Sequence, residues 1–210
     1  MVRDQCEFLR IPTASKAIGS PAGEQLFADA CCKIREAVSD ESGLIVVIDL
    51  RAVTLATTSY IKAGLLALSL AGKRHAELAG TALDDSLGPT PLNIYPVFAN
   101  LDPEVLDTIQ EVFAGRGLPF VSARLSNDRL SDAQICGFLD EALVRTMRLI
   151  RGREQVTALE LAAEFPAEGI KPTAWNNRLN DLWRLRLLRR VKRGKAWWYK
   201  TINKELTYGR

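Results

Sequence analysis

Apolar positions in the first 125 residues follow two spacings. Leu44–Leu50 is a nearly continuous apolar run with β-branched residues at its centre, which is typical of a strand buried on both faces. Three further strands are predicted at Glu7–Pro12, Asn93–Ala99 and Leu118–Leu125. Helical spacing predicts three helices, over 22–38, 58–78 and 103–115. Strands that alternate with helices indicate an α/β layer structure.

Two features modify this layout. Pro96 lies inside a predicted strand, and because proline cannot donate to a sheet it predicts an edge position or a bulge. Residues 79–92 contain Gly80, Asp84-Asp85 and Gly88-Pro89, and they predict a loop long enough to be mobile or functional.

The last third of the chain has a different pattern. Ser126–Ser131 is the most polar and least periodic stretch near the middle, and a long helix is predicted after it with apolar residues from Ile135 to Ile150. Thr157 is predicted to cap a short helix, and Pro166–Gly169 breaks that helix before a longer one. We therefore predict two domains, residues 1–128 and 129–210.

The longer helix has an apolar stripe and a polar remainder. Trp175, Leu179, Leu182 and Arg186 stand at i, i+4, i+7 and i+11, so the stripe is apolar for two turns. Thr173 is predicted to cap its first turn. The polar remainder includes Asn176, Asn177, Arg178 and Asn180.

A basic hairpin is predicted after this helix. Residues 189–193 and 196–200 are basic, β-branched or aromatic and flank Gly194. Arg193-Gly194 is a poor two-residue turn, which favours a longer loop with Gly194 in the left-handed conformation. The spacing leaves open whether Trp197 or Trp198 faces inward.

This stretch resembles the winged helix-turn-helix regulators of bacteria and archaea. The matching residues are Asn177-Arg178-Leu179, Leu182, Leu187-Leu188, Arg190, Lys192-Arg193-Gly194-Lys195 and Trp198-Tyr199. The resemblance implies that Thr173, Asn176, Asn177, Arg178 and Asn180 face the major groove of duplex DNA, and that Lys192, Arg193 and Lys195 contact phosphates or the minor groove. Arg186 stands where such domains usually have a glycine, which predicts a less sharply ended helix.

The charge distribution agrees with a nucleic-acid partner. Residues 1–150 carry 14 Lys and Arg against 19 Asp and Glu, a net charge of −5. Residues 151–210 carry 14 against 6, a net charge of +8, and the two parts give the overall +3. A basic helix and hairpin can also form a plain solvated face, but within a helix-turn-helix we favour attraction to phosphates.

The first part of the chain resembles the STAS-like domains, which are related to anti-sigma-factor antagonists. The resemblance rests on Ile48-Asp49-Leu50, Val53, Ala56–Tyr60 and the segment PVFANLDPEVL at 96–106. It implies a small mixed sheet with helices and a candidate phosphoacceptor at Ser59, with Thr58 beside it. Thr57 and Tyr60 replace the usual Asp and Gly, and Thr57 or Thr58 can instead simply cap a helix.

Other chemistry is sparse in the sequence. The four cysteines lack Cys-x-x-Cys spacing and His75 is the one histidine, so we expect no metal site and no cofactor. We find no catalytic arrangement, and we interpret Asp49 and Asp84-Asp85 as caps or solvated loop residues. No apolar run reaches the ~18 residues of a membrane span, and the N-terminus lacks the apolar core of a signal peptide.

These patterns predict a cytoplasmic, non-enzymatic DNA-binding transcriptional regulator. Its N-terminal domain would serve protein interaction, dimerisation or signal sensing, and a homodimer is expected because paired modules reach successive grooves. Two alternatives stay open: a protein-interaction adaptor of the anti-sigma-antagonist type that does not bind DNA, and a small-molecule sensor or enzyme in the N-terminal domain.

Overall fold

The fold is built on a six-stranded mixed sheet. A computed structural model describes residues 8–37, 43–71 and 94–209. Its strands are β1 (Phe8–Pro12), β2 (Leu44–Asp49), β3 (Ile94–Ala99), β4 (Phe120–Ser126), β5 (Arg129–Cys136), β6 (Leu188–Arg193), β7 (Ala196–Thr201) and β8 (Thr207–Tyr208). The large sheet has the order β1-β2-β3-β4-β5-β8, and β6 pairs with β7 separately. Strands β1 to β4 are parallel, β5 is antiparallel to β4, and β8 is parallel to β5. The predicted α/β class is confirmed.

Helices lie between and after these strands. They are α1 (Ser20–Glu36), α2 (Thr58–Ile61), α3 (Ala67–Ala71), α4 (Pro103–Ala114), α5 (Glu141–Ile150), α6 (Ala158–Glu164) and α7 (Pro172–Arg184). A π-helical turn, Lys62–Leu66, joins α2 to α3. The helix predicted over 58–78 is present to residue 71, and its remainder, like the predicted loop at 79–92, lies outside the described residues.

The sheet is buried on both faces. Val46 and Ile48 of β2 belong to one hydrophobic core, whereas Ile45 and Val47 belong to the other. The first core lies under α1 to α4, and the second lies under α5 to α7 and the β6–β7 hairpin. The continuous apolar run of β2 therefore has the two-sided burial that its sequence predicts.

The position predicted for Pro96 is wrong, because β3 lies between β2 and β4 and is not an edge strand. Pro96 is paired with Val46 of β2, while the ladder to β4 begins one residue later, at Val97. On the side facing β4, β3 is therefore unpaired at Pro96. The missing N–H of proline is tolerated there because it leaves no ladder partner without a donor.

The long helix predicted directly after Ser131 is also wrong, because residues 129–136 form β5. Asn127 and Asp128 have φ of 47° and 53° and connect β4 to β5, with Ser126 opposite Arg129. Two consecutive residues with positive φ are characteristic of a type I′ hairpin turn, which Asn and Asp tolerate well. The helix, α5, begins only at Glu141, where the Asp140 carboxylate accepts from the Ala142 amide at 2.8 Å.

We predict a domain boundary at residue 128, but strands on the two sides of this boundary pair with each other. β5 pairs with β4 from the first part, and β8, near the C-terminus, adds to β5. The division stays a prediction, but the C-terminal residues complete the sheet as well as cover it.

The C-terminal part contains three helices and a small sheet. Thr157 caps α6 as predicted, in a reciprocal pair with Glu160. Val156 exchanges two 2.8 Å backbone hydrogen bonds with Tyr199, so this segment lies alongside β7. The predicted cap at Thr173 is wrong: Lys171 is the N-cap residue and Pro172 occupies the first helical position. Proline suits that position because its φ is preset and its missing N–H would have no helical partner.

Helix α7 ends sharply, although Arg186 replaces the expected glycine. Arg186 adopts a left-handed φ of 63°, and its amide donates to the Trp183 carbonyl at 2.9 Å. The Leu187 amide donates to the Leu182 carbonyl at 3.0 Å, which completes a Schellman motif. The expectation of a less sharp end is therefore wrong. Buried contacts hold the arginine there, with its guanidinium carbon 5.9 Å from the Tyr95 ring centroid.

The hairpin turn is tighter than its sequence predicts. Arg193 pairs with Ala196, so Gly194 and Lys195 form a two-residue turn instead of the longer loop. Gly194 has the expected positive φ, 59°. Glycine at the first position of a two-residue turn is typical of type II′, so the turn begins one residue later than the poor Arg193-Gly194 pair. Neither tryptophan is fully buried: Trp198 is half-buried and Trp197 is 37% exposed.

Helix α1 and the π-helical turn approach each other closely at two glycines. A Cβ atom built on Gly23 would lie 2.5 Å from the Tyr60 carbonyl oxygen and 2.9 Å from the Ala63 Cβ. One built on Gly64 would lie 3.1 Å from the Gly23 carbonyl oxygen. Only glycines allow this backbone-to-backbone distance.

We expect Gly23→Ala to lower the free energy of unfolding by about 1–3 kcal/mol, because the added methyl group forces α1 away from the π-helical turn. Gly115→Ala, at the end of α4, is the matched control, since its Cβ would lie no closer than 3.6 Å to any atom and its φ is −60°. Urea denaturation of both variants checks this. Equal stability of the two would contradict the close-packing account.

Candidate nucleic-acid interface

The orientation of α7 is set by its apolar stripe. Trp175, Leu179 and Leu182 are each 0% exposed and belong to the core against the sheet. Successive helical residues point about 100° apart, so Asn177 and Arg184 lie on the opposite side of the helix. Both are exposed, as is Thr173 on the same side. A polar face of α7 is therefore turned towards solvent.

The predicted asparagines have different surroundings. Asn176 and Asn180 lie on the flank of α7 that meets the hairpin. The Asn176 Oδ1 accepts from the Tyr199 hydroxyl at 3.4 Å, and the Asn180 Oδ1 accepts from Arg190 Nη1 at 2.8 Å. The Asn177 side chain makes no hydrogen bond to another described residue, so its amide donors and its Oδ1 acceptor remain available.

Arg178 lies on the other flank of α7. It is half-buried, and its guanidinium carbon lies 5.6 Å from the Trp175 ring centroid. It forms no ion pair with the residues that the structure describes. Asn176, Asn177 and Arg178 thus spread around the helix instead of sharing one face.

A stacked arginine fixes the hairpin against α7. The Arg190 guanidinium carbon lies 3.2 Å from the ring centroid of Trp183 on α7 and 4.2 Å from that of Trp197 on β7. The Arg190 guanidinium thus contacts both indole rings and donates a hydrogen bond to Asn180, so its charge is used within the protein. The tilt of the hairpin relative to the exposed face of α7 is consequently fixed.

The predicted phosphate-contacting cations lie at the free end of this hairpin. Lys192, Arg193 and Lys195 are all exposed. Lys192 and Arg193 lie over Trp197 and Trp198, at 5.9 Å and 5.7 Å from the ring centroids. Lys195 stands in the turn itself, where no described carboxylate pairs with it. By the alternation along β6, Lys192 shares the Arg190 face that meets α7, whereas Arg193 lies on the opposite face of the hairpin.

Sequence reasoning did not name Arg184 as a site residue, and it matched Arg190 to the family pattern without giving it a role. Arg184 is seven residues after Asn177, a spacing that could have placed it on the same helical face. Arg190 could not have been found in this way, because its stacking depends on the pairing register of β6 with β7 and on the helix before them.

The candidate phosphoacceptors lie in the N-terminal part, at the start of α2. The Thr57 hydroxyl caps this helix, accepting from the Tyr60 amide at 3.3 Å and from the Gly19 amide at 2.9 Å. Of Thr57 and Thr58, the two residues predicted as possible caps, Thr57 is therefore the cap. Ser59 is half-buried with its Oγ 3.1 Å from the Thr57 Oγ1, and Thr58 is exposed. Their phosphorylation stays a prediction.

Asp49 is not a solvated loop residue, and that interpretation is wrong. It is 2% exposed and ends β2. Its carboxylate accepts from Arg10 Nη2 at 2.7 Å, from Arg51 Nε at 2.8 Å and from Asn100 Nδ2 at 2.8 Å. Asn100 in turn bonds the backbone of Leu125 in β4. One buried carboxylate thus connects the carboxyl ends of four neighbouring strands.

Opposing effects act on this carboxylate. Burial raises the pKa of Asp49, whereas the hydrogen bonds from Arg51, Asn100 and Arg10 lower it, and the net result is a pKa below the usual value. The charged form is therefore favoured. A carboxylate that is ionised at neutral pH and accepts several hydrogen bonds is suited to holding strands together and poorly suited to proton transfer.

Two other kinds of site are not found in the described part of the chain. No three His, Cys, Asp or Glu side chains in residues 8–37, 43–71 and 94–209 stand close enough together to hold a metal ion. None of the helices described is long and apolar enough to cross a membrane.

Comparisons with known proteins give no relative. No family model matches the chain, and no curated protein or solved structure matches it significantly. Function is therefore inferred from the geometry described above.

We expect Asp49→Asn to reduce the free energy of unfolding at pH 7 and to flatten its dependence on pH. A carboxylate whose folded pKa is lowered stabilises the fold above its unfolded pKa of ~3.9, and this contribution is lost as the pH falls through the folded value. Removing one partner of a buried ion pair costs ~3–5 kcal/mol, and we expect about 2 kcal/mol here because the Arg10 and Arg51 side chains are 42% and 53% exposed.

Urea titrations between pH 2 and pH 7 measure both effects. Asp107→Asn, which removes an exposed carboxylate on α4, is the control and should leave stability unchanged. Parallel pH profiles for the wild-type protein and the Asp49→Asn variant would refute this role of Asp49.

Proposed function

We propose that residues 129–210 contain a winged helix-turn-helix module that binds duplex DNA, and that the chain is a transcriptional regulator. The order of elements supports this proposal: α5, the Val156 segment paired with β7, α6, α7 and then the β6–β7 hairpin. In this interpretation α7 is the recognition helix and the hairpin is the wing.

The observation that carries the proposal is the exposed polar face of α7 beside the cationic end of the hairpin. The apolar side of α7 packs in the core against the sheet, so Thr173 and Asn177 are exposed and could enter a groove. Arg184 is exposed on the same side, with its Nη1 3.7 Å from the Asp181 carboxylate. The B-DNA major groove is about 12 Å wide and admits one α-helix. Lys192 and Lys195 would then reach the neighbouring backbone, whereas the predicted contact by Arg193 is not favoured because it lies on the opposite face of the hairpin.

Charge supports the same partner. The net charge of +8 on residues 151–210 gives a favourable interaction with phosphates that does not depend on base sequence. Base preference would come from Asn177, because an amide with both its donor and its acceptor free can pair with adenine N6 and N7. Arg178 and Arg184, on separate faces of α7, would contact guanine or flanking phosphates. Asn176 and Asn180 would act mainly by positioning the wing.

For the N-terminal part we propose a STAS-like domain that serves protein interaction, dimerisation or signal sensing in the cytoplasm. Its mixed sheet with α1 to α4 on one face supports this, as does the capped helix start that holds Ser59 and Thr58. A homodimer would place two copies of α7 in successive grooves.

One observation favours a second candidate function, that of a protein-interaction adaptor. Ile18 and Leu55 are 59% and 57% exposed, and they stand beside the Ala17–Ala56 bridge that joins their two segments. Two neighbouring exposed aliphatic side chains fit a protein partner better than DNA. This surface lies in the N-terminal part, so adaptor and DNA-binding activities can be tested separately.

We expect Asn177→Ala to weaken binding to the preferred duplex by ~1–3 kcal/mol while leaving binding to unrelated duplex unchanged, because it removes one base contact. Random-duplex selection followed by mobility-shift titration measures this. Gln25→Ala, which removes an exposed amide side chain from α1, controls for loss of the same chemical group far from the interface. Equal losses on preferred and unrelated duplex would exclude base contact by Asn177.

We expect Lys195→Ala to weaken binding to all duplexes alike and to lower the slope of log K against log [salt] by about 0.9, since one phosphate contact is lost. Lys62→Ala, an exposed lysine on the π-helical turn, is the matched control and should keep the wild-type slope. If the Lys195→Ala variant keeps the wild-type duplex affinity and salt slope, the hairpin turn does not contact DNA.

A further inference from the structure

The face of the hairpin that points away from α7 forms a separate cleft. Paired residues of β6 and β7 alternate between two faces, and Arg190 and Tyr199 belong to the face against α7. Arg189, Arg193 and Lys200 belong to the other face. Together with the Glu154–Gln155 segment they border a cleft of about 160 Å³.

The cleft has a surplus of positive charge. Arg189, Arg193 and Lys200 form no ion pair with any residue in the described part of the chain, and Glu154 is the one carboxylate among the cleft's lining residues. Arg190 also borders the cleft, but its guanidinium is already stacked between Trp183 and Trp197. Arg193 lies over the Trp198 ring, but it does not neutralise its charge there, so three cations against one carboxylate favour an anionic occupant.

One atom indicates where such a ligand would bind. The Arg189 Nε is buried, and it has no hydrogen-bond partner. A buried donor without a partner is costly, and the neutral groups of the cleft do not satisfy it. Because Arg189 lines the cleft, an oxyanion bound there could accept from its guanidinium and from Arg193 or Lys200 at the same time.

We propose that this cleft is a phosphate-binding site, distinct from the polar face of α7. The guanidinium of Arg189 donates to a phosphate oxygen, and the ammonium of Lys200 neutralises its charge. The cleft volume is well above the ~10–15 Å³ that one water molecule needs, so a tetrahedral oxyanion fits. The half-buried indole of Trp198, with Arg193 over its ring, forms the apolar wall.

The phosphate could come from two sources. If it belongs to a DNA backbone, which rests on the proposed function, the same hairpin contacts nucleic acid on both faces. A duplex seated on α7 meets the face of the hairpin that carries Arg190, so the outer cleft would hold a second duplex segment, from bent DNA or another molecule. Inorganic phosphate or a small phosphorylated compound would use the same donors without DNA.

The first experiment titrates inorganic phosphate into the full-length, ¹⁵N-labelled protein while the Arg189 Nε–H and Trp198 indole N–H signals are followed by NMR. We expect both signals to shift and saturate. Arg189→Met and Lys200→Met, which keep the aliphatic volume and remove the charge, should abolish or weaken the Trp198 response. Lys62→Met, a distant exposed lysine, should retain it.

The second experiment measures the salt dependence of duplex binding for the same variants. A slope of log K against log [salt] that falls by about 0.9 in both Arg189→Met and Lys200→Met assigns the phosphate to the DNA backbone. A wild-type slope combined with a saturating phosphate titration assigns it to a free phosphate compound. Both results support the site.

The inference is overturned if inorganic phosphate leaves the Arg189 and Trp198 signals unmoved and neither variant alters the salt slope. That outcome leaves the proposed function standing when duplex binding still depends on Asn177 and Lys195. Conversely, the proposed function is wrong if the wild-type protein binds no duplex. The phosphate titration then still tests whether the cleft binds phosphate.

Discussion

The fold depends on a sheet that is buried on both faces. Neighbouring residues of β2 point into two separate hydrophobic cores, one under α1 to α4 and one under the C-terminal helices and hairpin. Neither face of such a strand can be left in water without exposing a row of large aliphatic side chains. The C-terminal part is therefore packed onto the sheet as a layer of the structure, and β8 also extends it.

This packing determines which surfaces are available for function. Because Trp175, Leu179 and Leu182 face the sheet, the polar side of α7 faces solvent, and the Arg190 stack holds the hairpin beside it. A preorganised surface loses little conformational entropy when it binds a ligand. Strands β2, β3 and β4 share the second core with the C-terminal helices, so a partner or modification that shifts the sheet would also shift α7.

Arginine is used in contrasting ways in the two parts. At the carboxyl ends of the parallel strands, Arg10 and Arg51 are committed to the buried carboxylate of Asp49 and hold strands together. On the outer face of the hairpin, Arg189 and Arg193 have no carboxylate partner among the described residues. Net charge alone would not separate these roles, because a paired guanidinium stabilises the fold while an unpaired one remains available to a polyanion.

The sequence by itself determined the α/β class, the central buried strand, the Thr157 cap of α6 and the apolar stripe of α7, because each depends on spacing within a short segment. The tertiary structure alone decided that Pro96 is tolerated inside the sheet, that residues 129–136 form a strand, and that Arg186 closes α7 in place of glycine. It also decided that Asp49 is buried and that Arg190 is stacked between two indoles. These features depend on pairing register and on contacts between residues far apart in the chain, which local periodicity does not contain.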